Sequence, residues 1–245
     1  IPAPSGVLLI DKQPGFTSMD VCAIVRARFR RGGAPKRLKV GHGGTLDPAA
    51  TGVLVVLVGK ATPLCNLIMA GEKEYTATLD LAHISTTDDA DGAIEPITDP
   101  RTVSRDEPLA ILPRSTGTIA QRPPNFSAMN VGGVRAYQLA REGKAVPLAE
   151  RNVDVHALEL LDFAFPAATL KVRTGKGFYV RSLARDLGLA LSTAAPDAPP
   201  NVGGMLTALR RTRVGRFSID HARTLDQLPP VLTQADLLPI ESLGL

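Results

Sequence analysis

The stretch that most constrains this chain is Gly41-His42-Gly43-Gly44-Thr45-Leu46-Asp47-Pro48-Ala49-Ala50-Thr51-Gly52, which runs directly into Val53-Leu54-Val55-Val56-Leu57-Val58. A strand that is apolar at every position has no face to give to water, so this run predicts a central strand covered on both sides. The residues before it are nearly all small. Gly43 and Gly44 admit positive φ and close approach of another group. Pro48 fixes its own φ and drives Asp47 toward an extended conformation. The residues alone leave two readings open, an ordinary Asp-Pro turn and a carboxylate presented for chemistry in a loop with little side-chain bulk.

The rest of the composition narrows the class. The two cysteines, Cys22 and Cys65, are far apart, which predicts a reducing compartment and no disulfide framework. The four histidines (42, 83, 156 and 221) are equally scattered, so no zinc site is expected. Net charge is only +4, but its distribution is uneven. No acidic residue falls between Val21 and Leu46, where Arg26, Arg28, Arg30, Arg31, Lys36, Arg37 and Lys39 lie, and Arg210, Arg211, Arg213 and Arg216 form a second acid-free cluster. Such clusters fit a phosphate backbone as partner, or a solvated basic face. No run approaches the roughly 18–20 apolar residues of a membrane helix. No secretory apolar segment opens the chain, although its first residue is Ile, which leaves a removed leader open.

In chain order, Gly6–Ile10 reads as a strand and Asp11–Gly15 as a turn. Thr17 or Ser18 caps a helix carrying Val21, Ile24, Val25 and Phe29 on one side. Residues 30–39 form a basic connector. Ala61–Ala70 is predicted helical, with Leu64, Leu67 and Ile68 inward and Gly71 as stop. Glu72–Ala82 alternates, placing Tyr75, Ala77, Leu79 and Leu81 on the inner face of a strand. Ser85–Gly92 is an acidic turn without the spacing of an EF-hand. A helix is expected around Glu107–Leu112, strands over Ser115–Gln121, Asn152–Leu160 and Ala168–Thr174, and a helix over Val134–Glu142. Gly175–Gly188 passes from strand to helix, with Leu183, Leu187 and Leu191 inward and Arg181 at the junction. No linker or internal repeat marks a domain boundary.

Three motifs in order give a family resemblance. Gly41–Pro48 resembles the catalytic loop of the TruB family of pseudouridine synthases. Gly177-Phe178-Tyr179-Val180-Arg181-Ser182-Leu183 with Asp186-Leu187-Gly188 resembles its second motif, and Leu209-Arg210-Arg211 followed by Gly215 and Phe217 its third. The resemblance covers about Gly6 to Phe217. It implies an α+β fold with a mixed, largely antiparallel sheet, and one catalytic domain over residues 1–245. It further implies an RNA-gripping thumb at about 122–148. Bacterial members of that family usually continue into a C-terminal PUA domain, and none is expected in this chain, which stops first. It makes Asp47 the nucleophile, Arg181 its charge partner, and Tyr75 the ring against the target uracil. His42, Lys12, Tyr179 and Leu209 are implied as RNA-binding. Lys12-Gln13-Pro14 departs slightly from the family's Lys-Pro pair. Ser85-Thr86-Thr87 lacks the Asp of the common Thr-Asp-Thr, which leaves the support of Arg181 open.

The implied activity is conversion of a T-loop uridine of tRNA to pseudouridine after base flipping, with no cofactor and no metal. The implied partner is the tRNA T-arm, with no membrane and no obligate protein partner. A monomer is expected, cytoplasmic, or nuclear or mitochondrial if eukaryotic. The alternatives are a tRNA-folding chaperone of the same fold without turnover and a synthase acting on other stem-loop RNAs, the guide-RNA-dependent relative among them. A carboxylate-dependent hydrolase would need a second placed acid, and no such pair is evident.

Overall fold

The structure, a computed structural model, describes residues 3–97, 99–127, 129–131, 133–142, 144, 148–194 and 198–243. The elements in chain order are β1 (Gly6–Lys12), α1 (Ser18–Arg31), β2 (Val40–His42), β3 (Thr51–Val58), α2 (Cys65–Ala70), β4 (Lys73–Asp80), β5 (His83–Ser85) and β6 (Ile94–Pro96). There follow α3 (Asp106–Ile111), β7 (Gly117–Gln121), β8 (Asn130–Val131), β9 (Val134–Arg135), α4 (Ala136–Arg141), β10 (Arg151–Ala164), β11 (Ala167–Thr174), α5 (Val180–Leu191), β12 (Met205–Val214) and β13 (Phe217–Ser218). The fold is the α+β class expected. Where the sequence suggests one domain, the chain groups into two compact units, residues 1–75 with 209–245 and residues 76–208. The chain passes between them inside β4 and inside β12, which is why no linker composition marks the change.

In the first unit, β3 is the central strand. It pairs antiparallel with β1 and β2, and parallel with β12 at Arg210↔Thr51 and Arg211↔Gly52. The parallel pair is what makes the sheet mixed. Leu8, Ile10, Leu54, Val56 and Val58 face one core with Val21, Val25 and Phe29 of α1 and Leu225, Leu228 and Leu232 from the chain's end. Val7, Leu9, Val53, Val55 and Leu57 face a second core with Ala61, Ile68, Val214 and Phe217. The uninterrupted apolar run is therefore buried on both faces, as its composition demands. Thr17 caps α1 through a reciprocal pair with Asp20. The outer edge of β1 is covered by the C-terminal segment, through bonds between Val7 and Leu238 and between Leu9, Asp11 and Arg223.

The helix expected over Ala61–Ala70 is shorter. A 3-10 segment, Gly59–Leu64, comes first and contains Pro63, which has no amide proton to donate. Only Cys65–Ala70 is α-helical, and Leu67 is 44% exposed while Ile68 is buried. Two turns of helix present only one residue inward here.

In the second unit, the long β10 pairs antiparallel with β11 and with β7, and β4 lies beside β11. Leu183, Leu187 and Leu191 of α5 are buried, as their spacing predicts. Gly188 belongs to that packing. A Cβ there would lie 2.2 Å from the Gly203 carbonyl oxygen, and one on Gly204 would lie 2.3 Å from that of Ala184, so α5 and the segment just before β12 approach backbone to backbone. The thumb expected at 122–148 falls partly outside the described residues. Within it, β8 and β9 form a two-stranded ribbon leading into α4.

Candidate active site

The Asp47 loop is held from three directions within its own unit. Ser18, the first residue of α1, accepts from the Leu46 amide (2.9 Å) and donates to the Leu46 carbonyl (3.0 Å). The Lys12 ammonium donates to the carbonyls of Pro48 (3.0 Å), Gln13 (3.0 Å) and Phe16 (2.8 Å). Arg211 donates from Nη2 to Gly44 (3.1 Å), from Nη1 to Thr45 (3.2 Å) and from Nε to Val53 (2.8 Å). The backbone flanking Asp47 is therefore bonded on both sides, and the carboxylate is half-buried on a fixed support.

The glycines explain how this fits. A Cβ on Gly43 would lie 2.3 Å from the Ile68 side chain. Gly52 has φ +103°, and a Cβ there would lie 2.1 Å from the Arg211 carbonyl oxygen. Both glycines are needed for close approach, as small residues in a tightly docked loop should be.

Lys12, expected among the RNA-binding residues, does not lie on the surface. Its side chain is fully buried and its three donors go to three carbonyls. Burial lowers its pKa, Asp47 opposes that shift, and Arg211 adds to it. Its work is to pin the Asp-Pro turn. In the second basic cluster Arg216 is exposed, but the other three are engaged within the unit. Arg210 forms a two-pronged pair with Asp11 (3.1 and 2.8 Å), Arg211 is only 3% exposed, and Arg213 pairs with Glu72. Acids distant in sequence neutralise a run that looks acid-free. In the first cluster Arg26, Arg28 and Arg30 donate to carbonyls of their own unit, while Arg31, Lys36, Arg37 and Lys39 are exposed.

His42 lies on β2 opposite Val56 and is half-buried. Burial, then the charge of Arg211, pushes its pKa below the usual histidine value, so the neutral ring is favoured. Its Nδ1 is buried and finds no hydrogen-bond partner among the described residues. Tyr75 is half-buried on β4, close enough to Arg211 for its side chain to interact with the guanidinium. Just before it, Lys73 donates to the carbonyls of Met69 and Gly71, fixing how the strand begins. Burial, with Arg211 nearby, lowers the Lys73 pKa to about 8. Leu209 is half-buried on β12, and its carbonyl accepts from the Thr51 hydroxyl (3.3 Å). Asp47, Tyr75, His42, Lys12 and Leu209 thus all belong to the first unit.

Arg181 and Tyr179 belong to the second unit. Arg181 is the second residue of α5 and only 8% exposed, so it is no ordinary surface charge. Its Nη1 lies 3.4 Å from an Asp89 carboxylate oxygen and 3.4 Å from the Thr87 carbonyl, and its Nη2 donates to Phe126 (3.1 Å). The support left open by Ser85-Thr86-Thr87 is therefore supplied by Asp89 of the acidic turn. That turn is itself anchored. Thr87 donates to the Asp89 carboxylate, Ser85 donates to the Asp89 carbonyl (2.5 Å), and Arg185 pairs with Asp88 (2.8 Å). Tyr179 caps α5. Its backbone is held by the buried Gln121, which donates to the Tyr179 carbonyl (3.1 Å) and accepts from its amide (2.9 Å). The Arg151 guanidinium stands 5.2 Å from the Tyr179 ring centre. Sequence reasoning missed Ser18, Arg211 and Asp89 as supports. Arg211 had a signal, since it is the arginine of Leu209-Arg210-Arg211, but a basic run hides a buried member.

Comparison with known proteins agrees with this geometry. Residues 31–180 match the family described as TruB family pseudouridylate synthase (N terminal domain). A "tRNA pseudouridine synthase B" from Rhodococcus jostii is 45% identical over 228 residues, 91% of this chain and 70% of the relative. One from Streptomyces avermitilis is 43% identical over 94% of this chain and 74% of the relative. Among solved structures, a chain of a Cbf5-Nop10-Gar1 complex superposes with a TM-score of 0.70 at 28% identity, over 97% of this chain. This chain spans 61% of that one's length. Three sequence motifs, a fixed carboxylate loop and this common fold identify the chain as a member of the TruB family, whose enzymes isomerise uridine to pseudouridine.

Proposed function

We propose that the protein converts a uridine in the T-loop of tRNA to pseudouridine, with Asp47 as nucleophile. The observation that carries this reading is the Asp47 loop. A half-buried carboxylate sits on backbone bonded to Ser18, Lys12 and Arg211, with Tyr75 reached by that same guanidinium. The names of the relatives support tRNA as substrate.

The reaction breaks the bond from the ribose carbon to N1 and forms one from that carbon to C5. The C5 proton is lost and N1 gains one, so no net oxidation or group transfer occurs. An ionised carboxylate supplies the electron pair, at the base or at the sugar carbon. Arg181, assigned on its motif, is the guanidinium that keeps this carboxylate charged when water leaves the site. Tyr75 stacks on the uracil and is placed to move a proton. A neutral His42 suits stacking in the space a flipped base leaves. Flipping costs a few kcal/mol, to be offset by contacts to the emptied loop. Tyr179 and Leu209 are assigned to the pocket around the base. The protein works as a monomer without a cofactor.

The test is position-resolved mapping of pseudouridine in unmodified tRNA after incubation with the protein. A single new pseudouridine in the T-loop is expected. Modification only elsewhere, or only in stem-loops unrelated to the T-arm, would refute the substrate assignment.

A further inference from the structure

Arg211 is a cation buried to 97% whose described hydrogen bonds run to backbone carbonyls. Burying a guanidinium is costly unless its donors are satisfied. Here they are satisfied by groups that matter for the site. One fork reaches Gly44 and Thr45, at the start of the Asp47 loop. Nε reaches Val53, where the loop becomes β3. Tyr75 lies close enough to interact with the same side chain. Its charge is also felt at Lys12, His42 and Lys73, so it stands at the centre of this part of the first unit. The backbone of Arg211 is equally fixed, in parallel register with Gly52 on a strand that allows no Cβ between them.

We propose that Arg211 is a positioning residue for the reaction, fixing the Asp47 loop and the Tyr75 ring in a single frame through its buried guanidinium. The inference rests on the reading that Asp47 and Tyr75 act on the uridine. It needs an arginine. A lysine ammonium at the same depth is a single point and cannot serve carbonyls lying along two sides of a planar fork. The site would keep its residues and lose their spacing. A displacement of about 1 Å among reacting groups costs on the order of 100-fold in rate.

The test combines two variants with the full-length protein and unmodified tRNA. Arg211→Lys is expected to lower the single-turnover rate of tritium release from 5-tritiated uridine by roughly 100-fold. Its tRNA affinity should stay within about threefold, because exposed Arg31, Lys36, Arg37 and Lys39 are untouched. A wild-type rate, or rate and affinity falling in parallel, would overturn the inference. Tyr75→Phe keeps Arg211 and removes the hydroxyl that interacts with it, so it decides the matter even if Arg211→Lys fails to fold. Amide hydrogen exchange at Leu46 and Gly43 should quicken at least severalfold in Tyr75→Phe, and unchanged exchange would overturn the proposed coupling. Turnover retained by Asp47→Asn would sink the underlying reading instead, whereas an inactive Asp47→Asn beside a fully active Arg211→Lys sinks the role of Arg211 alone.

Discussion

Replacing Gly52 by Ala should unfold the site from its strongest steric constraint. The added Cβ would meet the Arg211 carbonyl oxygen at 2.1 Å and the Arg211 amide nitrogen at 2.7 Å, both backbone atoms that no rotamer change can move. Reaching an ordinary contact requires β12 to withdraw by about 1 Å from β3, which a close-packed interior resists. That withdrawal breaks the parallel pairing at Arg210↔Thr51 and Arg211↔Gly52 and lengthens the bond from Arg211 Nε to Val53. Two or three buried hydrogen bonds at about 1–2 kcal/mol each, plus about 1–2 kcal/mol for a side chain at φ +103°, total roughly 3–8 kcal/mol. For a chain of this size that is a fall in Tm of roughly 6–30 °C by calorimetry. Gly33→Ala is the control, because Gly33 also has positive φ (+85°) but its Cβ would meet nothing within 4 Å. It should cost only about 1–2 kcal/mol. If Gly52→Ala and Gly33→Ala melt within a few degrees of each other, the claim that β3 and β12 are locked backbone to backbone is wrong.

Further outcomes follow from the buried charges. Lys12→Met leaves the carbonyls of Gln13, Phe16 and Pro48 without their donor, so denaturant titration should show a loss of about 3–5 kcal/mol, with affinity for tRNA at most slightly changed in the folded fraction. A large affinity loss without a stability loss would return Lys12 to the RNA-binding set. Asp89→Asn removes the carboxylate 3.4 Å from Arg181 and should slow single-turnover isomerisation at least tenfold while leaving binding intact, as read by parallel rate and filter-binding measurements. His42 has a folded pKa below its unfolded value, so the unfolded state takes up the proton first as pH falls and stability drops below about pH 6.5. The fall in Tm between pH 7.5 and 5.5 should be smaller in His42→Gln than in the parent, and an equal fall would show that His42 is not the group concerned.

Local patterns were read well where one physical rule dominated. Val53–Val58 announced a doubly buried strand, the Tyr75–Leu81 alternation gave the inner face of β4, and Leu183, Leu187 and Leu191 gave the buried side of α5. The errors came where a side chain's fate depends on residues far away. Lys12 was expected among the RNA-binding residues, and its burial was not legible because the carbonyl of Pro48 comes to it only in the folded chain. Arg210 and Arg213 belong to a run that fits either phosphate or solvent, and Asp11 of β1 and Glu72, just before β4, reach them only in the folded chain. Leu67 fitted a helix face that Pro63 and the preceding 3-10 segment rotate away. At the site, the chemistry-bearing residues were legible through their motifs. Their supports were not, because a backbone carbonyl carries no sequence signature.

The most direct measurement is single-turnover tritium release by the Asp47→Asn variant from tRNA labelled at C5 of uridine, with tRNA affinity measured in the same preparation. The nucleophile assignment predicts unchanged affinity and no release above background over hours. Release at even a hundredth of the parent rate, by a folded variant that binds tRNA normally, would contradict it.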